Sequence, residues 1–247
     1  MTHFKIIVPF YNVEEWILYN IRSIKMQKYN NFQCIFVNDH STDKTTQIIN
    51  TEIKDDNRFL LCTNIEKTGA LGSANYGIKQ SNANKEDVII ILDGDDWFAS
   101  PDVLEYLNDV YEKEKCWITY GSYVEYPSGL KGKFSRQLPQ NIIDNQLYRQ
   151  SEWMTSHLRT YKFKLWEQIK DEDMRDKDGN YYPMAADLPT MFPMLEMAGN
   201  RSHYIDKVLH IYNRKNVASE DKVDHQLQLS IDREVRNKKK YKLLKDL

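Results

Sequence analysis

The chain opens on a short apolar run, FKIIVP over residues 4–9, that breaks at Phe10, Tyr11 and Asn12. A run of this length, rich in isoleucine and valine and stopped by a proline, predicts a buried strand. Over residues 14–27 the period changes. Ile17, Ile21 and Ile24 lie three and four apart on one face, which predicts an amphipathic helix with Asn12 as a candidate N-cap. The alternation then repeats. Strand-like runs occupy 32–37, 59–63, 88–92 and 117–124. Helical patterns open near Ser41, span 70–81, and run from Ser100 as the expected N-cap to about residue 115 with Pro101 in the first turn. Strands alternating with helices predict an α/β fold, with a mostly parallel central sheet and helices on both faces. Ligands of such sheets bind beyond the carboxyl ends of the strands. The unusual residues that close each strand are therefore the candidates for chemistry.

The second half is less regular. Residues 127–139 read as a loop, 171–183 as a charged segment, 186–198 as a helix and 203–213 as one or two strands. Residues 220–247 read as a polar, solvated helical tail ending in the basic run 236–242. The expected organisation is a single domain over 1–218, with halves 1–125 and 126–218, and a tail over 219–247.

Composition narrows the classes. No apolar run approaches the roughly 20 residues of a spanning helix, and the first residues lack the order of a signal peptide, so a cytoplasmic protein is expected. The net charge of −2 gives no support to bulk binding of nucleic acid. Cys34, Cys62 and Cys116 fit neither a disulfide framework nor a zinc site and read as small buried thiols.

The strongest chemical feature is Asp93-Gly94-Asp95-Asp96-Trp97, directly after the run VIIIL. Acids this close repel one another. A divalent ion such as Mn2+ or Mg2+, held by one or two carboxylates and a substrate diphosphate, relieves that repulsion. A turn of solvated acids is the plainer alternative. Tyr11 can offer its ring to a flat base or pack under a turn. Asp39, closing the second strand, can accept hydrogen bonds from a base imide or a ribose, whereas Asp43 reads as a helix cap. Lys67 precedes the glycine-containing stretch TGALGSAN, where backbone and cation can approach a nucleotide.

Together, IIVPFYN, FVNDHSTDKT, the stretch from Asn64 to Gly77 and ILDGDDW resemble the nucleotide-binding half of the family 2 glycosyltransferases. The match spans about residues 3–125, in the family's order and spacing. The resemblance implies a GT-A (nucleotide-diphospho-sugar transferase) fold and inverting transfer from a nucleotide sugar, most often a UDP-sugar, to an acceptor hydroxyl. It implies that 1–125 binds the donor and 126–218 carries the acceptor and catalytic side. Pro9, Tyr11 and Asp39 would hold the base, and Lys67 would lie near base or phosphates. Asp93 would face the ribose or metal, and Asp95 would be the main metal ligand. The family's general base stands in an x-Asp pair at a helix start. Asp187, within AADLP, is the match here, without the usual preceding Glu, and a capping carboxylate is its alternative reading.

His157 and Arg159 fall where relatives place acceptor-side residues, and would alternate on one face of a strand. LHIYNR over 209–214 resembles the family's late strand, but Lys215 and Asn216 replace the histidine that often follows. His210 reads as a packed or hydrogen-bonded histidine rather than a ligand. The implied acceptors are a glycan, a lipid-linked sugar or another hydroxyl-bearing molecule, with modified DNA as a further option given the basic tail. Two other readings stay open: a nucleotidyltransferase, which would normally show a glycine-rich signature near the first strand, and a catalytically degenerate relative, against which the intact DGDD and Asp187 argue.

Overall fold

The computed structural model describes residues 1–216 and 224–246. The chain runs through β1 (Phe4–Phe10), α1 (Ile17–Lys25), β2 (Phe32–Asn38), α2 (Thr45–Ile53), β3 (Phe59–Thr63), α3 (Gly69–Gln80) and β4 (Val88–Ile91). Next come β5 (Trp97–Phe98), α4 (Val103–Glu114), β6 (Ile118–Tyr126), α5 (Gln140–Asp144), β7 (Thr160–Lys162) and α6 (Phe163–Trp166). The last elements are α7 (Leu188–Ala198), β8 (Ser202–Asn213) and α8 (His225–Asn237).

Among the described residues eight strands form one sheet in the order β3-β2-β1-β4-β7-β6-β8-β5. The β1, β2, β3 and β4 neighbours are parallel, as are β6 and β8. Short β7 runs antiparallel to both β4 and β6. That reversal decides where the site lies, because it brings the start of β7 to the same edge as the carboxyl ends of β1, β2 and β4.

Successive strand residues serve opposite cores. Ile7, Ile35, Val37 and Ile89 pack with Leu71 and Ile78 of α3 and Met191 of α7. Ile6, Val8, Phe36 and Ile90 pack with Ile17, Ile21 and Ile24 of α1 and Leu107 of α4. Strands buried on both faces read as unbroken apolar runs, which is why these elements were legible. Helix α3 lies directly on β1 and β2: a Cβ on Gly77 would stand 2.6 Å from Ile7 and 2.7 Å from Val37.

Several local expectations are corrected. Helix α1 begins at Ile17, and Asn12 does not cap it. Asn12 instead has φ +50°, accepts from the Thr42 amide at 2.8 Å through Oδ1, and donates its own amide to Ser41 Oγ at 3.1 Å. It ties the loop after β1 to the loop after β2. The helix expected near Ser41 begins at Thr45 with Lys44 at its N-cap position and no side-chain cap; Asp43, expected as the cap, stands one residue earlier and accepts the Thr45 amide at 3.0 Å. Ser100 does not cap α4; its hydroxyl bonds Asp102, and the helix starts at Val103. The two-residue strand β5 gave no periodic signal.

The tail differs most. The expected boundary at residue 218 lies outside the described residues. Helix α8 ends at Asn237, and no helix follows to residue 246. It is not solvated all round either, since Ile231 and Val235 are buried. Arg236 donates to the carbonyls of Arg149 and Ser151, and Lys238 to those of Glu172, Asp173 and Arg175. Beneath them lies a bidentate pair, Arg149 to Glu196 at 2.6 and 3.0 Å, with both side chains at most 2% exposed. The Tyr241 amide adds a bond to Glu196 at 2.9 Å. Much of the basic run therefore satisfies main-chain carbonyls that end short turns.

Candidate active site

Beyond the carboxyl ends of the strands lies a cleft of about 440 Å³, and all the residues singled out above for donor, metal, acceptor and base roles line it. Pro9 and Tyr11 come from the end of β1, and Asp39 from the end of β2. Lys67 stands before α3, and Asp93 and Asp95 follow β4. His157 and Arg159 precede β7, and Asp187 precedes α7.

The DGDD turn is held from two sides. The Gly94 amide donates to the Pro9 carbonyl at 3.1 Å. A Cβ at Gly94 would stand 2.6 Å from Phe10 Cβ, so the turn can lie this close to β1 only with glycine. From below, Asn20 Nδ2 donates to the carbonyls of Asp93 (3.0 Å) and Asp96 (2.9 Å). Asn20 is fully buried on the apolar face of α1. Sequence reading missed it, although a polar residue inside the Ile17–Ile21–Ile24 stripe was the available signal.

The three acids have different surroundings. Asp96 is buried and turned inward, with Oδ1 accepting the Asn213 amide and Oδ2 bonded to His210 Nε2, both at 2.8 Å. Burial pushes His210 down to about 3, so it is neutral, as expected of a hydrogen-bonded histidine. Asp95 Oδ2 accepts from Asn216 Nδ2 at 2.7 Å. Burial, and next the adjacent Asp96 charge, push the Asp95 carboxyl up to about 7. Burial also raises Asp93, with Arg159 opposing and Asp95 reinforcing the shift. The segment after β8 thus reaches Asp95 through Asn216, although it lacks the family's histidine. Acids destabilised in this way are well suited to a divalent cation.

His157 is not on a strand. It lies in a bend, and β7 begins only at Thr160, so the expected alternation with Arg159 does not occur. The His157 ring stacks on His210 at 4.6 Å and 10°. Burial, aided by Arg159 and His210, keeps its pKa well below the usual value. Asp96, His157 and His210 each bring one ligand atom within 4.8 Å of the others, so this cluster also has the chemistry to hold a metal ion. A ring nitrogen binds a metal in its own ring plane, so one of the stacked rings would first have to turn.

Asp187 stands at the start of α7, but its side chain makes no cap bond. It pairs with Arg159 instead, at 2.9 Å from Nη1 to Oδ2. Asp39 accepts the Thr68 and Gly69 amides, both at 2.9 Å, and Asn64 Nδ2 at 2.7 Å. It fixes the start of α3, using donors that a helix leaves unpaired. Tyr11 is 43% exposed, and the Lys67 ammonium lies 3.4 Å from its ring centroid, a cation–π contact. Gln228 of α8 also lines the cleft, a contribution the tail's polar pattern did not signal.

The chain belongs to glycosyl transferase family 2, whose pattern matches residues 5–172. An uncharacterized glycosyltransferase of Haemophilus influenzae is 32% identical over 123 residues, which are 50% of this chain and 48% of that one. The Escherichia coli UDP-Glc:alpha-D-GlcNAc-diphosphoundecaprenol beta-1,3-glucosyltransferase WfaP is 33% identical over 131 residues, covering 53% of this chain and 50% of its own. The chain therefore spans about half the length of these curated relatives. Among solved structures, Staphylococcus aureus TarS 1–349 in complex with UDP-GlcNAc aligns with TM-score 0.65 at 20% identity, covering 87% of this chain and 59% of that one. The mannosyltransferase PcManGT of Pyrobaculum calidifontis, in complex with GDP-Man and Mn2+, aligns with TM-score 0.61 at 16% identity, covering 97% and 66%. At these identities the likeness establishes a shared fold, an α/β GT-A architecture. Among the described residues no helix is long and apolar enough to cross a membrane.

Proposed function

We propose that the cleft binds a nucleotide-diphosphate sugar, a UDP-sugar first of all, and transfers the sugar to an acceptor hydroxyl with inversion. One observation carries this reading: the raised acids Asp93 and Asp95 share a single cleft with the Tyr11–Lys67 contact and the Arg159–Asp187 pair. UDP is favoured because WfaP is named for UDP-Glc and TarS is seen with UDP-GlcNAc.

Residues 1–125 form the donor half in this reading. Pro9 and Tyr11 hold the base, Asp39 reaches base or ribose, and Lys67 leaves the Tyr11 ring for base or phosphate as the nucleotide enters. Asp95, with Asp93, supplies hard oxygen ligands that fit Mn2+ or Mg2+. A bound ion there would stabilise negative charge on the departing diphosphate. Residues 126–218 form the acceptor half. Arg159 holds Asp187 Oδ2, so that Oδ1 is left to take the acceptor proton. The acceptor oxygen attacks the anomeric carbon, and the nucleoside diphosphate leaves from the opposite face. His157 supports the Arg159 side of the cleft. The acceptor class is a glycan or a lipid-linked sugar and the place of action the cytoplasm. A modified-DNA acceptor would reveal itself by salt-sensitive DNA binding.

The test is thermal stability against a panel of nucleoside diphosphates and nucleotide sugars, with Mn2+ and with chelator. A ligand at about 100 times its Kd adds roughly 2.7 kcal/mol, which is readily seen. A metal-dependent shift with a uridine nucleotide that Asp95→Ala abolishes is the expected result. No shift with any nucleotide would overturn the reading, whereas a shift without product formation would favour a catalytically degenerate, nucleotide-sugar-binding relative.

A further inference from the structure

Helix α8 is tied down along its length, and one of its side chains reaches the cleft. Gln228, Ile231 and Val235 are spaced three and four apart, which puts them on one face. Ile231 and Val235 are buried, and half-buried Gln228 is the polar member of that inward stripe. Asp224 caps the start of the helix by accepting the Leu227 amide at 2.9 Å. Tyr182 donates its hydroxyl to Glu234 at 2.6 Å. Arg149 donates to the Val235 carbonyl at 2.6 Å while it pairs with Glu196 of α7.

The Arg149 bridge fixes which end of the cleft α8 reaches. It joins Val235 of α8 to Glu196 of α7. Seven residues earlier in each helix, about two turns, stand Gln228 and Pro189. Gln228 lines the cleft, and so do Asp187, Thr190 and Met191 around the start of α7. The two helices therefore bring their N-terminal ends to the cleft together, where Arg159 pairs with Asp187. The base-side residues Pro9, Tyr11 and Asp39 come from the ends of β1 and β2. In the sheet, β4 and β7 separate those strands from β6, against which α7 packs.

Gln228 is the one residue of α8 in that lining, and among the described residues its carboxamide has no hydrogen-bond partner. A carboxamide offers two donors and an acceptor without carrying charge. That suits sugar hydroxyls, each of which both donates and accepts, and gives no pull on an anionic group. We infer that Gln228 recognises the acceptor, its carboxamide bonding a hydroxyl of a neutral sugar next to the hydroxyl that Asp187 deprotonates. The inference rests on the transferase reading. It gives α8, which lies beyond the residues that match the family pattern, a share in choosing the acceptor.

Acceptor-dependent release of UDP tests it, with Mn2+ and the UDP-sugar that stabilises the protein most. The probes are the methyl glycosides of glucose, galactose, mannose and N-acetylglucosamine, and the monodeoxy analogues of the best acceptor among them. Gln228→Ala should raise the KM of that glycoside about ten-fold, the worth of one or two neutral hydrogen bonds. The KM of the UDP-sugar and its thermal shift should not change. One monodeoxy analogue should lose the same factor with the wild type and nothing further with Gln228→Ala. Gln228→Met keeps the length of the side chain and replaces Gln228→Ala if that variant does not fold. An unchanged glycoside KM, an equal further loss with every monodeoxy analogue, or a weakened response to the UDP-sugar overturns the inference. Metal-dependent hydrolysis of the UDP-sugar without transfer to any of these glycosides also overturns it, and leaves the transferase reading standing. A protein that neither binds nor cleaves a UDP-sugar sinks both.

Discussion

Asp95 and Asp96 are neighbours in one motif with different surroundings, and two alanine variants separate the ligand role proposed for Asp95 from the packing role of Asp96. Both oxygens of Asp96 are spent inside the protein, on the Asn213 amide and His210 Nε2. Asp96→Ala leaves both of those groups buried without partners, and each such loss costs about 1–3 kcal/mol. The variant also removes an acid that burial disfavours, which returns part of the cost. A net loss of about 2–4 kcal/mol is therefore expected, a large share of the roughly 5–15 kcal/mol by which a domain is stable. Asp95 gives up one bond, to Asn216, and removing its carboxyl relieves the cost of its burial and then its repulsion with Asp96. Asp95→Ala should lie within about 1 kcal/mol of the wild type while abolishing metal binding. Urea unfolding followed by circular dichroism gives the stabilities, and titration of free Mn2+ by electron paramagnetic resonance gives the binding. A stable Asp96→Ala protein without Mn2+ affinity would refute this division, and Asp96 would then be a ligand in its own right.

Other outcomes follow from the same contacts. Arg149→Met strands Glu196 in the core and should cost about 3–5 kcal/mol in urea unfolding, with Arg149→Met/Glu196→Met recovering most of it; equal losses in single and double variants would contradict this. Gly94→Ala places a Cβ 2.6 Å from Phe10 and should cost about 1–3 kcal/mol, with weakened metal binding as the turn shifts; unchanged stability and binding would contradict the close approach. The Asp95 carboxyl, raised to about 7 when folded, holds its proton in the folded state at pH values where the unfolded chain has released it. Its contribution to stability therefore falls as pH rises from about 4 to 7. The stability advantage of Asp95→Asn over the metal-free wild type should grow through that window and level off above it. An advantage that shrinks with rising pH would reverse the sign.

The parts of the fold that were legible share one property. The strands β1, β2 and β4 are buried on both faces, so their sequences are unbroken apolar runs that admit no competing period. The candidate residues at their ends stood out because an acid or aromatic directly after such a run falls at the carboxyl end of its strand, and the structure brings those ends to one cleft. What escaped depends on contacts between distant segments. Asn12 carries the local signal of a cap, but bonds across to the loop after β2 outcompete it. His157 and Arg159 reach the cleft from a bend before a three-residue strand, and nothing in their spacing predicts that bend. The tail reads as polar because its charges are visible in the sequence while the carbonyls they bond, on residues 149–151 and 172–175, are not. Asn216 and Gln228 join the cleft only through the path of the chain around β8 and α8.

The central claim is that Asp95 serves the donor and Asp187 the acceptor within one cleft. Release of nucleoside diphosphate from the UDP-sugar identified by the stability panel tests it directly, followed with Mn2+ and an acceptor glycan for the wild type, Asp95→Ala and Asp187→Asn. The account predicts metal-dependent, acceptor-stimulated release by the wild type. It predicts no donor binding in Asp95→Ala, and donor binding without acceptor-stimulated release in Asp187→Asn. Acceptor-stimulated release by Asp187→Asn at the wild-type rate would contradict it.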